Sequence, residues 1–291
     1  MRSFRLLSLV LLISLFMSMT VLAEEKVLFK MTDPVGDDYG PGTYLYPQHK
    51  QFKNNPGLFD LQDFKVIANQ DDYIFHFRFG EITNPWHAPF GFSHQLIQVY
   101  LDSGRGGVRE TFKEGANINF EKQHPWNQLI KITGWNVEIF SLTAERQEYK
   151  ILEEAKVKLD DKLVQVFLPK EVLPNLSEAH YYVLIASLDG FNYDNYRKVT
   201  AQGGEWEFGG GTDSNLNPNV IDTLVPEGLD QKQVLGSFSL ESGELATLYA
   251  VGPELSLPWK LVIIFSFCFI LLLTILGAGL KIMRNFSGNS F

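Results

Sequence analysis

Cysteine is all but missing. The single one, Cys268, falls in an apolar run near the C-terminus, so the rest of the chain has no disulfide. It must hold itself together by burial, with or without a metal. Positive charge is also short. Arg2, Arg5, Lys260, Lys281 and Arg284 lie outside residues 24–257, which leaves 20 basic residues there against all 34 acidic ones, a net charge of −14. Such a body lacks the Lys and Arg that neutralise phosphates, which argues against nucleic acid as a partner. It suits solubility and divalent cations. Catalytic signatures are absent as well: there is no Gly-x-Ser-x-Gly elbow, phosphate loop or dinucleotide fingerprint. Ser93, in Gly91-Phe92-Ser93-His94, lacks the second elbow glycine. His49, His76, His87, His94, His124 and His180 are scattered, with no HExxH spacing. Nothing in the chain signals an enzyme, an internal repeat or a low-complexity linker.

Two apolar runs bracket the acidic body. Arg2 and Arg5 precede an apolar centre at 6–17, and Val21-Leu22-Ala23 fits the small-residue rule for cleavage. Residues 1–23 read as a secretory signal peptide, an uncleaved anchor being the alternative. Residues 261–280 carry no charge. At about 1.5 Å per residue they reach the ~30 Å of a bilayer's hydrocarbon core. Trp259 and Lys260 stand before the run and Lys281 and Arg284 after it, as interface anchors do. The predicted organisation is a body at 24–250, a short stiff stem at 251–260, one C-terminal transmembrane α-helix at 261–280 and a tail at 281–291. It predicts a single-pass protein of the cell membrane, its N-terminal domain extracytoplasmic and its C-terminus cytoplasmic.

The body reads as strands. Tyr73-Ile74-Phe75-His76-Phe77-Arg78-Phe79 alternates strictly and puts four rings on one face. Ile97, Val99 and Leu101 alternate with Gln98 and Tyr100, and Ile130/Ile132 and Val137/Ile139 flank a turn at Gly134. Asp160-Asp161 joins 157–159 to 164–168 as a hairpin. Residues 181–188 form a continuous apolar strand, expected to be central and buried on both faces. Residues 238–240 and 246–250 are expected to close the sheet, and 170–173 to form a short helical turn. With roughly 230 residues the body is long enough for one all-β domain, an antiparallel β-sandwich.

Three features carry chemistry. Asp33, Asp37 and Asp38 lie within Asp33-Pro34-Val35-Gly36-Asp37-Asp38-Tyr39-Gly40-Pro41-Gly42. Carboxylates so close repel one another unless a cation lies among them, and Ca²⁺ takes six to eight oxygens. Asp60, after the Pro56-Gly57 turn, can complete such a site; a solvated acidic turn is the alternative. Asp213, Asn215, Asn217 and Asn219 recur every second residue, a weaker second candidate. Pro218 stands where an EF-hand has glycine and Leu224 where it has glutamate, so that loop is no EF-hand, and a plain Asx-rich turn is the competing reading. Tyr44, Tyr46, Trp86, Trp126, Trp135 and Trp206 lie in or beside turn segments rich in Pro, Gly, Asn, His or acidic residues. Sugar C–H faces stack on aromatic planes, so these six are candidate carbohydrate contacts, or else core.

The acidic segment continues as Thr43-Tyr44-Leu45-Tyr46-Pro47. It is followed by Gly57-Leu58-Phe59-Asp60-Leu61, Asn84-Pro85-Trp86, Gly91-Phe92-Ser93 and Tyr100-Leu101-Asp102. Trp126, Gly134-Trp135, Trp206 with Gly209-Gly210-Gly211, and Val220-Ile221-Asp222-Thr223-Leu224 complete the series. In this order, from about Val27 to Leu248, the chain resembles the C-terminal binding module of glucodextranase, whose relatives are appended to amylopullulanases and surface-layer-associated proteins. The resemblance implies a β-sandwich similar to carbohydrate-binding modules and the DOMON-like group, often with structural calcium. Asp33, Asp37, Asp38 and Asp60 map to the cation.

Four functions compete at this point. The first is a non-catalytic, membrane-anchored, calcium-stabilised module that binds α-glucan or another cell-surface carbohydrate. The second is a module that docks an envelope component or membrane protein without sugar. The third is a haem protein recruiting Met31 and His94, as some DOMON-like sandwiches use Met and His. The fourth is a hydrolase.

Overall fold

The alternation over residues 73–79 becomes the middle of a five-stranded sheet. The structure, a computed structural model, describes residues 25–104, 106–142, 147–151, 155–253, 263–265, 267 and 269. The predicted signal peptide and the tail at 281–291 lie outside the described residues, as does most of 261–280. The five described residues of that run are helical. Among the described residues no helix is long and apolar enough to cross a membrane.

In chain order the strands are β1 (Lys26–Thr32), β2 (Leu61–Ala68), β3 (Asp72–Phe79), β4 (Gln95–Asp102), β5 (Ile118–Phe120), β6 (Gln128–Ile132) and β7 (Val137–Leu142). They continue with β8 (Gln147–Ile151), β9 (Lys156–Asp160), β10 (Leu163–Pro169), β11 (His180–Ser187), β12 (Asp222–Thr223) and β13 (Ala246–Leu248). Two short helices, α1 (Lys50–Lys53) and α2 (Gln231–Leu235), are capped by the side chains of His49 and Asp230. One sheet runs β1-β2-β3-β10-β9 and the other β12-β11-β4-β6-β7-β8. Their pairings are antiparallel throughout.

The two sheets pack face to face over one apolar core. Tyr73, Phe75, Phe77 and Phe79 of β3 meet Ile97, Val99 and Leu101 of β4 and Tyr181, Val183 and Ile185 of β11 in it. Phe64 of β2 and Tyr181 of the opposite sheet touch edge to face, 5.6 Å between centroids. Each such buried ring contributes about 1.5–3 kcal/mol of transfer free energy, so period-two patterning is enough to fix which face turns inward.

The six-stranded sheet is covered on its other face too. Leu96, Tyr100, Leu129, Phe140, Tyr182 and Leu184 pack there against Ile118, Trp126, Tyr196, Val220, Val234 and Leu248. This explains why β11 is buried on both faces, as its unbroken apolar run predicts. Gln98 and Tyr100, the residues that alternate with Ile97, Val99 and Leu101, face this second layer. The expected closing strands are corrected. Residues 246–248 do not close a sheet of the sandwich: β13 pairs in parallel with β5 as a separate two-stranded piece, and 238–240 form no strand. The apolar residues there are used as a lid over the sheet, which short runs serve as well as strand pairing does. The hairpin at β9–β10 turns at Asp161-Lys162, one residue later than read, with Asp161 at φ 54°.

Candidate functional site

Two places gather most of the residues that the sequence singles out as candidate contacts. The first is where the acidic segment crosses from one sheet to the other. Asp33 follows the end of β1 and Asp222 lies in β12, at the edge of the second sheet. Gly40 N–H donates to Ile221 O at 2.8 Å and fastens the acidic loop to the strand that carries Asp222. Gln231 of α2 ties the same parts, donating to Asp37 O and accepting from Thr223 N–H, both at 2.7 Å.

Asp33, Asp37 and Asp222 each place a carboxylate oxygen within 4.8 Å of the others. Asp33 Oδ2, Asp37 Oδ1 and Asp222 Oδ1 are buried without a hydrogen-bond partner, and no salt bridge reaches these residues among the described ones. Burial, then the Asp37 charge, pushes Asp33 up to about 8. Burial raises Asp37 to about 6, Asp60 and Asp38 adding to it. Asp222 is raised well above its ordinary value by complete burial and then by Asp33. Buried polar atoms are seldom left unpaired. Three orphan oxygens, one from each carboxylate, form a donor set that fits a hard cation.

Asp38 and Asp60 lie beside this group with other partners. Asp38 Oδ2 accepts from Tyr46 O–H. Asp60 accepts from Gly36 N–H and from Gln62 Nε2, each at 2.6 Å. Gly36, at φ 81°, takes the left-handed conformation that aims its N–H at Asp60. The sequence alone does not place Asp222 in this carboxylate group, though a lone carboxylate between Val220-Ile221 and Leu224 is a signal: a charge in a buried strand needs a partner. In the second candidate loop Asp213 and Asn215 line a cavity of about 600 Å³, and two of its side chains bond the backbone. Asn217 accepts from Thr212 N–H and donates to Val199 O, Asp213 accepts from Ala201 N–H, and both serve as turn anchors.

The second place is a groove of about 420 Å³ lined by Trp86, Trp135, Trp206, Phe191, Ser93 and Asp189 among others. Trp86, Trp135 and Trp206 are 38, 43 and 37 % exposed. Beneath them, His94 lies 4.6 Å from Trp86 and Phe52 stands edge-on to Trp206 at 6.0 Å, while His49 stacks on Trp206 at 4.0 Å. Arg197 donates to Trp206 O and Leu188 O, both at 2.8 Å, with its guanidinium over the Phe52 ring. Gly134 is required next to Trp135: a Cβ there would fall 1.7 Å from Phe92 O, whose loop forms the groove wall. Ser93 Oγ and both His94 nitrogens are buried and unpartnered. Burial, then Arg197, lowers His94 to about 3, which keeps it neutral.

The other proposed ring contacts lie elsewhere. Trp126 is 0 % exposed, its Nε1 donating to Glu110 O at 2.7 Å, and Tyr44 is 2 % exposed, its hydroxyl donating to Pro218 O at 2.6 Å. Neither has a face open to a sugar. Tyr46 packs between Phe59 and Phe208 and serves the acidic site through Asp38.

Residues 28–250 match the family model of the C-terminal binding-module, SLH-like, of glucodextranase. No curated protein matches the chain.

Proposed function

Since the chain belongs to the family of the SLH-like C-terminal binding module of glucodextranase, we propose that it is a non-catalytic module that binds a carbohydrate in the Trp86–Trp135–Trp206 groove. One observation carries this reading: three half-exposed indoles line one groove and are braced from below by Phe52, His94 and Arg197. Rigid, amphipathic rings stack on sugar faces at low ordering cost, and a few polar groups in the groove fix orientation. Asp189, part-exposed on the groove wall, is such a group. The expected ligand class is α-glucan or another cell-surface polysaccharide.

Calcium belongs to the same reading as a structural ion. Asp33, Asp37 and Asp222 would hold it, with Asp38 and Asp60 shaping the loop. When bound it supplies positive charge among carboxylates that otherwise resist ionisation together. The charge-free run at 261–280 supports attachment to a membrane, with the module on the outer side.

The test is affinity electrophoresis of the full chain through gels containing soluble α-glucans or cell-wall polymers. Retardation that is lost in Trp86→Ala and Trp206→Ala supports the reading. No retardation by any polymer overturns it, and co-purification of a protein partner without a glycan shift would select an interaction module instead.

A further inference from the structure

A third cluster lies away from both places and involves histidines that the sequence leaves far apart. Asp102 ends β4 and His180 begins β11, and the two are register partners across the sheet. His124 comes from the loop between β5 and β6. Its Nδ1 lies 3.0 Å from Asp102 Oδ2, and its ring stacks on His180 at 3.9 Å with 20° between planes. One donor atom from each of the three residues lies within 4.8 Å of the others, and all three are half-buried.

The frame around them is fixed. Tyr182 O–H donates to His124 O at 2.6 Å, and Asn127 N–H donates to Leu101 O at 2.8 Å. Gly252 lies against the imidazole of His180, where a Cβ would come within 2.5 Å of the ring. Glu121, the nearest further carboxylate on the loop, has Oε1 taken by Ala250 N–H at 2.8 Å. Two imidazoles and one carboxylate are thus held on a sheet end, partly open to water.

We propose that Asp102, His124 and His180 form a binding site for a borderline divalent transition metal, Zn²⁺ being the physiological fit. The donor types decide the class. Imidazole suits Zn²⁺, Cu²⁺ and Ni²⁺, whereas Ca²⁺ and Mg²⁺ take oxygen. The site is therefore chemically orthogonal to the all-carboxylate one. Two nitrogens and one oxygen leave a fourth tetrahedral position to solvent, the arrangement of an open rather than a closed zinc site. Closing around an ion requires the stacked rings to splay so that a nitrogen of each can point at one metal. Rotation of the His124 side chain about its own bonds can supply that movement while its backbone stays pinned by Tyr182.

The experiment uses the untagged full chain, stripped of metal and kept in excess Ca²⁺ so that the carboxylate site does not compete. Zn²⁺ is titrated calorimetrically and Co²⁺ by its visible absorption, which intensifies in four-coordinate sites. One equivalent is expected, with nitrogen-type Co²⁺ bands. His124→Gln and His180→Gln should each weaken Zn²⁺ by at least about 100-fold, the upper end of what losing even an outer-shell partner costs. Asp222→Asn should leave it unchanged. His180→Gln disturbs the packing of Gly252, so the melt of each metal-free variant is recorded; if it fails to fold, His124→Gln on the loop decides. Absence of a stoichiometric Zn²⁺ site, or Zn²⁺ binding unaltered in folded His124→Gln, overturns the proposal.

Discussion

Lys131 Nζ lies 2.6 Å from Asp194 Oδ1, and both side chains are almost wholly buried. The pair closes a satisfied network: Asn195 Oδ1 accepts from Lys131 at 2.8 Å, and Asp194 Oδ2 accepts from Gln98 Nε2 at 2.7 Å. Gln98 Oε1 in turn accepts from the hydroxyls of Tyr100 and Tyr196. Asp194 and Asn195 have φ of 46° and 66°, so the network holds two non-glycine residues in a disfavoured conformation. Lys131→Met leaves the Asp194 carboxylate buried and unpaired and is expected to cost about 3–5 kcal/mol, read as a lower urea midpoint. Adding Asp194→Asn, which removes the orphan charge, should recover part of that loss.

The acidic site predicts a crossing of stabilities. Chelation should lower the wild-type melting temperature, since free Ca²⁺ at 100 times Kd stabilises by about 2.7 kcal/mol. Asp222→Asn should abolish the chelator effect. Without metal it should melt above the wild type, because one of three mutually repelling carboxylates is gone. Equal chelator effects in both proteins would refute the assignment.

The same carboxylates set a pH dependence. Asp33 and Asp37 rise from the ordinary 3.8 to about 8 and about 6 in the fold. Between these values the folded chain holds protons that the unfolded chain has released, so metal-free stability falls as pH rises. In chelator the melting temperature should decline from about pH 5 to pH 8, with the contribution lost as pH passes the folded values. In excess Ca²⁺ the decline should flatten. A metal-free melt that climbs over this range contradicts the prediction.

The tryptophans should separate affinity from stability. Trp86→Ala or Trp206→Ala is expected to cost about 2 kcal/mol of glycan binding, roughly 30-fold in Kd, as truncated aromatic anchors do. Trp126→Phe removes its bond to Glu110 O from a buried site. It should lower the melting temperature and leave the glycan Kd unchanged.

What the sequence disclosed was local or repeated. Residues 73–79 and 181–188 carry their strand identity in their own spacing, and the motifs from about 27 to 248 carry the family, matched over 28–250. What it concealed was set by distant partners. Asn84-Pro85-Trp86-His87 and His124-Pro125-Trp126-Asn127 look alike as strings, yet Trp86 lines a groove and Trp126 lies against Tyr100. Gln98 meets Asp194 across 96 residues, a partner that its own strand pattern does not name. Asp222 joins Asp33 only when β12 reaches the edge of its sheet, and no spacing rule connects them.

The hydroxyl of Tyr44 and the carbonyl of Pro218 meet across a sequence separation of 174 residues. The N-terminal acidic loop makes its contacts to Asp60 and Tyr46 early, but its partners at Pro218, Ile221 and Asp222 are absent until most of the domain has been synthesised. High contact order of this kind makes closure slow and late. The carboxylate pocket is then a seal on a finished domain rather than a seed for it, and an ion cannot be captured there by a chain that stops short of β12.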